Sequence, residues 1–143
     1  MSETSKRYYV DTNIMMYAAG KESIYKEVCL KVLDNITSYE YEYYINTEVF
    51  QEILYRYDNI GMKSFGIELA ESVLELFNNI LSIEEKDIYL SVSMMKKYKQ
   101  LLSRDAIITA NMLNNNIKEI ISVDKDFDKV SEINRINPEE LIY

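Results

Sequence analysis

Apolar positions along the 143-residue chain change their period several times, and each change marks an element. Tyr8, Tyr9 and Val10 form a short β-prone run that stops at Asp11-Thr12-Asn13. Ile24, Val28, Val32 and Ile36 then recur every fourth residue with Cys29 and Leu33 beside them, which predicts an amphipathic helix. Tyr39 to Ile45 is aromatic and rich in β-formers, so it reads as a second strand. Asn46 or Thr47 can cap a helix whose stripe is Val49, Phe50, Ile53, Leu54 and Tyr57. Helical spacing continues over Phe65 to Phe77 and over Asp87 to Leu102. Ser103 reads as the N-cap of a further helix burying Ala106, Ile107, Ala110 and Leu113, which the Asn114-Asn115-Asn116 run ends. Ile120, Ile121 and Val123 give a short buried strand, and Arg135 to Ile136 a last one.

Strands alternating with helices predict an α/β fold with a central, mostly parallel sheet. No repeat, low-complexity tract or Gly/Ser linker divides the chain, so residues 1–143 read as a single domain. Only three Gly and one Pro are present, which favours long regular elements over tight turns. The stretch Tyr57 to Gly66 holds two of those glycines and reads as a flexible connection where a partner could dock. In open α/β sheets ligands gather beyond the carboxyl ends of the strands. Asp11 and Asp124 fall at such ends.

Composition then narrows the chemistry. There is no histidine, which removes Ser-His-Asp and Cys-His nucleophiles, imidazole zinc sites and paired-histidine phosphodiester cleavage. The single Cys29, on an apolar helix face, forms no internal disulfide and reads as inert packing. Residues Met1 to Arg7 are polar, and no segment approaches the roughly 20 apolar residues of a membrane helix, so a cytoplasmic protein is expected. The net charge of −8 is not the basic footprint of a typical nucleic-acid binder; action on nucleic acid then requires cations in the site.

What remains is acids. Asp11, Glu52, Asp105 and Asp124 stand out, with Asp126 and Glu48 as alternates. Taken singly, Asp11 serves as a helix cap, Asp105 as a first-turn charge, Asp124 as a turn residue and Glu52 as a solvated helix position. Taken together, an α/β fold brings three of them to one sheet edge, and either glutamate can reach that edge from its helix. Carboxylates ~4 Å apart repel by about 4 kcal/mol at an effective dielectric of ~20, so such a cluster raises its pKa values or takes up a cation. Oxygen-only ligands select Mg²⁺ or Mn²⁺, and such an ion suits phosphodiester hydrolysis.

The segments Tyr9-Val-Asp-Thr-Asn-Ile14, Thr47-Glu-Val-Phe-Gln-Glu-Ile-Leu-Tyr-Arg56, Ser103-Arg-Asp-Ala-Ile107 and Ser122-Val-Asp-Lys-Asp-Phe-Asp128 occur in the order and setting of the PIN-domain ribonucleases. The chain resembles that family from about Tyr8 onward, and most closely the toxin subunits of VapBC-type toxin–antitoxin pairs. The resemblance implies a three-layer α/β/α sandwich and a metal-dependent endoribonuclease, a homodimer neutralised by a small antitoxin. It places metal-coordinating, catalytic carboxylates at Asp11, Glu52, Asp105 and Asp124, with Asn13, Ser122 and Asp126 in support. Glu52 is preferred to Glu48 because the family's acid precedes an Ile-Leu-Tyr-type stretch. Two departures, Ile108-Thr109 where relatives carry a His and Val123 where a small polar residue is common, touch none of these positions.

The tyrosines at 39, 41, 43 and 44 could stack RNA bases, though core packing or a dimer contact is the stronger reading; Lys96, Lys97, Lys99 and Arg104 could guide a phosphate backbone, though a solvated helix face is the stronger reading there. Rival functions are a phosphatase, disfavoured by Asn13 two residues after Asp11, and a dinucleotide-binding fold, disfavoured by the absence of Gly between Asp11 and Tyr17. A nuclease fold kept only for RNA or protein binding, and a PIN nuclease acting in RNA processing outside a toxin–antitoxin pair, remain as alternatives.

Overall fold

A computed structural model describes residues 6–38 and 40–141. Strand β1 (Arg7–Val10) leads through α1 (Thr12–Ala19) and α2 (Lys26–Asn35) to β2 (Glu42–Asn46). Helices α3 (Thr47–Asn59) and α4 (Lys63–Leu76) lead to β3 (Asn79–Leu81), and α5 (Glu85–Lys97) and α6 (Ser103–Asn114) to β4 (Glu119–Ile121). A 3₁₀ turn over Lys125–Lys129 precedes β5 (Asn134–Ile136). The sheet order is β3-β2-β1-β4-β5, and every pairing is parallel. The expected α/β fold with a PIN-like α/β/α architecture is present, with the sheet wholly rather than mostly parallel.

Right-handed crossovers explain the layers. The chain steps from β1 to β2 to β3 in one direction, then returns past β1 to β4 and β5, so the return crossover lies on the opposite face. The direction reverses between β1 and β4, and a crevice opens beyond their carboxyl ends. Central β1 is covered on both faces, which is why Tyr8, Tyr9 and Val10 are all buried and the strand shows no polar alternation. Around it Ile14, Met15, Cys29, Val32, Ile45, Val49, Ile53, Ile108, Met112, Ile120, Ile121 and Phe127 form one core.

Several local expectations shift. Ile24 is exposed and lies before α2, because Ser23 makes a turn that delays the helix to Lys26; Cys29 and Val32 carry its buried face. Strand β2 begins at Glu42, and Tyr39 lies outside the described residues. Tyr43 is buried beneath Tyr8, with ring centroids 5.9 Å apart, and Tyr41 packs edge-on to Tyr8 at 5.5 Å, so these tyrosines pack against each other. Strand β3 falls in a stretch that showed no strand signal, since its three half-buried residues form a short edge. Helix α5 ends at Lys97, well short of Leu102.

Ser103 is already helical, and Leu102 occupies the N-cap position without a side-chain cap. Ile108, Thr109, Asn111 and Met112 are buried as well as Ala106 and Ala110, whereas Ile107 and Leu113 are half-buried. Helix α6 is enclosed on most of its circumference because α5 packs alongside. The Tyr57–Gly66 stretch is a tight turn between two packed helices and not a loose connection. Gly61 adopts φ +77°, and a Cβ on Gly66 would stand 2.7 Å from that of Tyr57, so glycine there permits the close approach of α3 and α4.

Candidate active site

Asp11 continues the β1 ladder, its N–H donating to the Ile121 carbonyl at 3.0 Å, and then caps α1. One carboxylate oxygen accepts from the Thr12 N–H at 2.8 Å. The other accepts from the Ser122 hydroxyl at 2.6 Å and from Asn13 Nδ2 at 3.1 Å. Ser122 Oγ also accepts from Asn13 Nδ2 at 3.2 Å and from the Asp124 N–H at 3.0 Å. Asn13 and Ser122 thus stitch the end of β1 to the end of β4. Arg135 fixes the far side of Ser122 by donating to its carbonyl at 3.0 Å.

Asp124 caps the following 3₁₀ turn, accepting from the Asp126 N–H at 2.9 Å. That turn points Asp126 back toward the first turn of α6. One oxygen from each of Asp105, Asp124 and Asp126 lies within 4.8 Å of the others. The tightest carboxylate group therefore includes Asp126, placed by sequence in support, while Asp11 and Glu52 flank it. Burial pushes the Asp11 carboxyl up to about 7; the Ser122 hydrogen bond lowers it, and the Glu52 and Asp105 charges raise it further. Burial, followed by the charges of Asp124, Asp126 and Glu52, pushes Asp105 up to about 6, while Arg104 pulls it down. Burial leads at both residues, and the neighbouring carboxylates add to it.

Glu48 and Glu52 lie one turn apart on α3, and Arg104 bridges them at 3.3 and 3.5 Å. Only Glu52 is among the leading influences on both Asp11 and Asp105, which favours it over Glu48 as the helix acid. A cleft of about 260 Å³ opens from Asp105 and Asp126, walled by Leu101, Leu102 and Val130, with Lys97, Lys99 and Lys129 on its lining; Lys96 is not part of it. The oxygen-only donors, at separations that one shared hard cation bridges, fit Mg²⁺ or Mn²⁺ and not a thiolate- or imidazole-seeking metal.

Two residues have a part in the site that the sequence alone does not show. Asn46 both caps α3 through the Glu48 N–H and donates to Asn111 on α6 at 3.1 Å, tying the helix of Glu52 to the helix of Asp105. Its capping position was the only signal. For Arg104 the sequence offers a solvated face or a phosphate guide, whereas its place beside Asp105 brings it to the glutamates.

The PIN domain family matches residues 8–133, which span every segment of this site. The chain belongs to the PIN domain family. It is 28% identical over 127 residues to ribonuclease VapC13 of Mycobacterium tuberculosis, covering 89% of this chain and 97% of that protein. Among solved structures it resembles VapBC2 from Rickettsia felis bound to a promoter DNA fragment, with a TM-score of 0.73, 16% identity and coverage of 92% and 98%. It also resembles the sarcin-ricin-loop-cleaving toxin VapC20 of M. tuberculosis, with a TM-score of 0.73, 11% identity and coverage of 87% and 95%. The PIN fold thus extends over nearly the whole chain. Among the described residues no helix is long and apolar enough to cross a membrane.

Proposed function

We propose that this PIN domain is a Mg²⁺- or Mn²⁺-dependent endoribonuclease, the toxin of a toxin–antitoxin pair. The observation that carries the reading is the acidic group at the reversal point of the sheet, with Asp105, Asp124 and Asp126 converging beside Asp11 and Glu52. The name of the relative ribonuclease VapC13 supports the substrate class, and the VapBC name of the Rickettsia felis neighbour supports the partner.

Asp11, Glu52, Asp105 and Asp124 would hold the ion, with Asp126 as a further ligand on the solvent side. When bound, the ion polarises the scissile phosphate and lowers the pKa of the attacking water. Asn13 and Ser122 fix the rotamer of Asp11, so that one of its oxygens keeps a constant direction. Asp124 or Glu52 accepts the proton of the water as it attacks phosphorus. Lys99 and Lys129 on the neighbouring cleft draw the RNA backbone toward Asp105 against the overall negative charge.

Attack by water with cleavage of the P–O3′ bond leaves a 5′-phosphate and a 3′-hydroxyl, the leaving O3′ taking its proton from solvent. The test is cleavage of RNA by purified protein with Mg²⁺ or Mn²⁺, repeated with chelator, and end analysis of the products. Products ending in 2′,3′-cyclic phosphate, or cleavage that survives chelation, would overturn the mechanism.

The groove between α1 and the α3–α4 turn, lined by Met16, Tyr17, Tyr57, Ile60, Met62 and Phe65, suits an apolar antitoxin segment. Exposed Ile88, Val92 and Met95, on one stripe of α5, suit a homodimer contact. A cytoplasmic location is in keeping with this reading.

A further inference from the structure

We propose that Arg104 is an internal counter-ion of the acidic site. It competes with the divalent ion for Glu52, and so sets the metal concentration at which the enzyme becomes active. The inference rests on the metal-dependent reading above.

The Arg104 guanidinium lies between two carboxylates of α3, with Nε 3.3 Å from Glu48 and a terminal nitrogen 3.5 Å from Glu52. Among the described residues no other cation stands within ion-pair distance of either glutamate. The glutamate side chains are only 14% and 20% exposed, so each needs a partner, whereas that of Arg104 is 42% exposed and has room to swing away. Glu52 is also the acid whose charge raises both Asp11 and Asp105. One carboxylate is therefore shared between the guanidinium and the carboxylates that would hold the ion.

Two cations drawing on one carboxylate weaken each other, and the weakening is reciprocal. In the metal-free protein Arg104 relieves repulsion among the acids; when the ion takes Glu52, the guanidinium must give way. An arginine suits this role better than a lysine. Its planar fork spans two carboxylates, which the compact ammonium of lysine does less well.

The test is RNA-free Mn²⁺ binding to the full chain, followed by calorimetry or by electron paramagnetic resonance of the free ion. Arg104→Gln is expected to bind Mn²⁺ about fivefold more tightly than wild type, the range of a half-exposed ion pair. Its metal-free melting temperature should fall. Arg104→Lys, which keeps the charge but loses the fork, should fall between wild type and R104Q, and Arg104→Met, which keeps the aliphatic stem, repeats the measurement if the glutamine variant folds poorly. In an E52Q background the gain from R104Q should shrink to less than about twofold, because the shared carboxylate is gone.

Unchanged or weaker Mn²⁺ affinity in R104Q would overturn the inference. So would an equal gain with and without Glu52, which would reduce Arg104 to background charge. Wild-type protein that binds no Mn²⁺ would bring down the metal-dependent reading itself and the inference with it. Wild-type binding with R104Q indistinguishable from it would remove only the inference.

Discussion

Asn in place of Asp105 keeps the shape of the side chain and removes a charge that the metal-free fold tolerates badly. The carboxyl moves from an ordinary 3.8 to about 6 in the folded protein, chiefly through burial and then through Asp124, Asp126 and Glu52. A folded-state pKa above the unfolded one means that stability is fully present below about pH 4 and is lost as pH rises through 6. The rise corresponds to about 3 kcal/mol if taken at face value. Asp105 is half-buried, and solvent screening reduces that to about 1.5 kcal/mol. The neutral variant escapes the loss. In metal-free buffer at pH 8, Asp105→Asn should therefore melt about 3–6 °C above wild type, and the two should converge near pH 4. Excess Mg²⁺ should reverse the order, since it stabilises the protein that binds it. Calorimetric scans at pH 4, 6 and 8, with chelator or with Mg²⁺, give the comparison. The contrary result is specific. Asp105 lies in the first turn of α6, where a carboxylate on the helix dipole is worth about 0.3–1 kcal/mol. If that were its purpose, the variant would be less stable at pH 8, and Mg²⁺ would not separate the two proteins.

Three further outcomes follow from the geometry. Asp124→Asn should abolish RNA cleavage while leaving the far-ultraviolet circular dichroism unchanged, as the turn can still be capped by an amide oxygen; residual cleavage within tenfold of wild type would remove Asp124 from the reaction. Lys99→Glu together with Lys129→Glu should weaken RNA binding and flatten its dependence on salt, measured by fluorescence anisotropy at several ionic strengths. Gly66→Ala should cost about 1–3 kcal/mol in urea denaturation, because its Cβ would meet that of Tyr57 at 2.7 Å; a neutral result would mean that α3 and α4 can move apart freely.

Where sequence and structure agree, a single physical preference acted alone. The run Tyr8-Tyr9-Val10 ends at Asp11 because an aspartate caps the following helix, and the same local rule placed Asn46 at the start of α3. The α/β alternation was legible because each crossover carries enough apolar residues to cover a strand. Where two demands met on one residue, periodicity misled. Helix α6 buries more than one face against α5 and the core, so a single-stripe reading missed Ile108 and Met112. Strand β3 is an edge of three residues, too short for any period to register. Glu48 and Glu52 share a helix face, and spacing alone leaves them equivalent; the family resemblance prefers Glu52, and in the fold it is Glu52 whose charge acts on both Asp11 and Asp105. Asp126 was ranked below Asp11 because the 3₁₀ turn that swings it toward Asp105 has no signature beyond its two aspartates.

The fate of another buried acid shows that the strain at Asp105 is local. Asp87 is completely buried, and burial alone would raise its pKa. Hydrogen bonds donated by Asn114 at 2.7 Å, by the Glu84 N–H at 2.9 Å and by Asn111 at 2.9 Å instead hold it below the usual carboxylate range. The same Asn111 accepts from Asn46, so a satisfied charge clamps α5, α6 and the start of α3 together. This fold therefore has the means to satisfy a buried carboxylate, and it applies them one face away from Asp105. Among the described residues, no hydrogen-bond donor of the chain reaches the Asp105 carboxylate, and the charges closest in influence are those of Asp124, Asp126 and Glu52. The clamp at Asp87 holds Glu52 and Asp105 on rigid elements, so their repulsion cannot be relieved by the helices drifting apart. An acid held on rigid elements without a donor of its own, beside a network that satisfies its own acid fully, is the arrangement that the proposed cation would relieve.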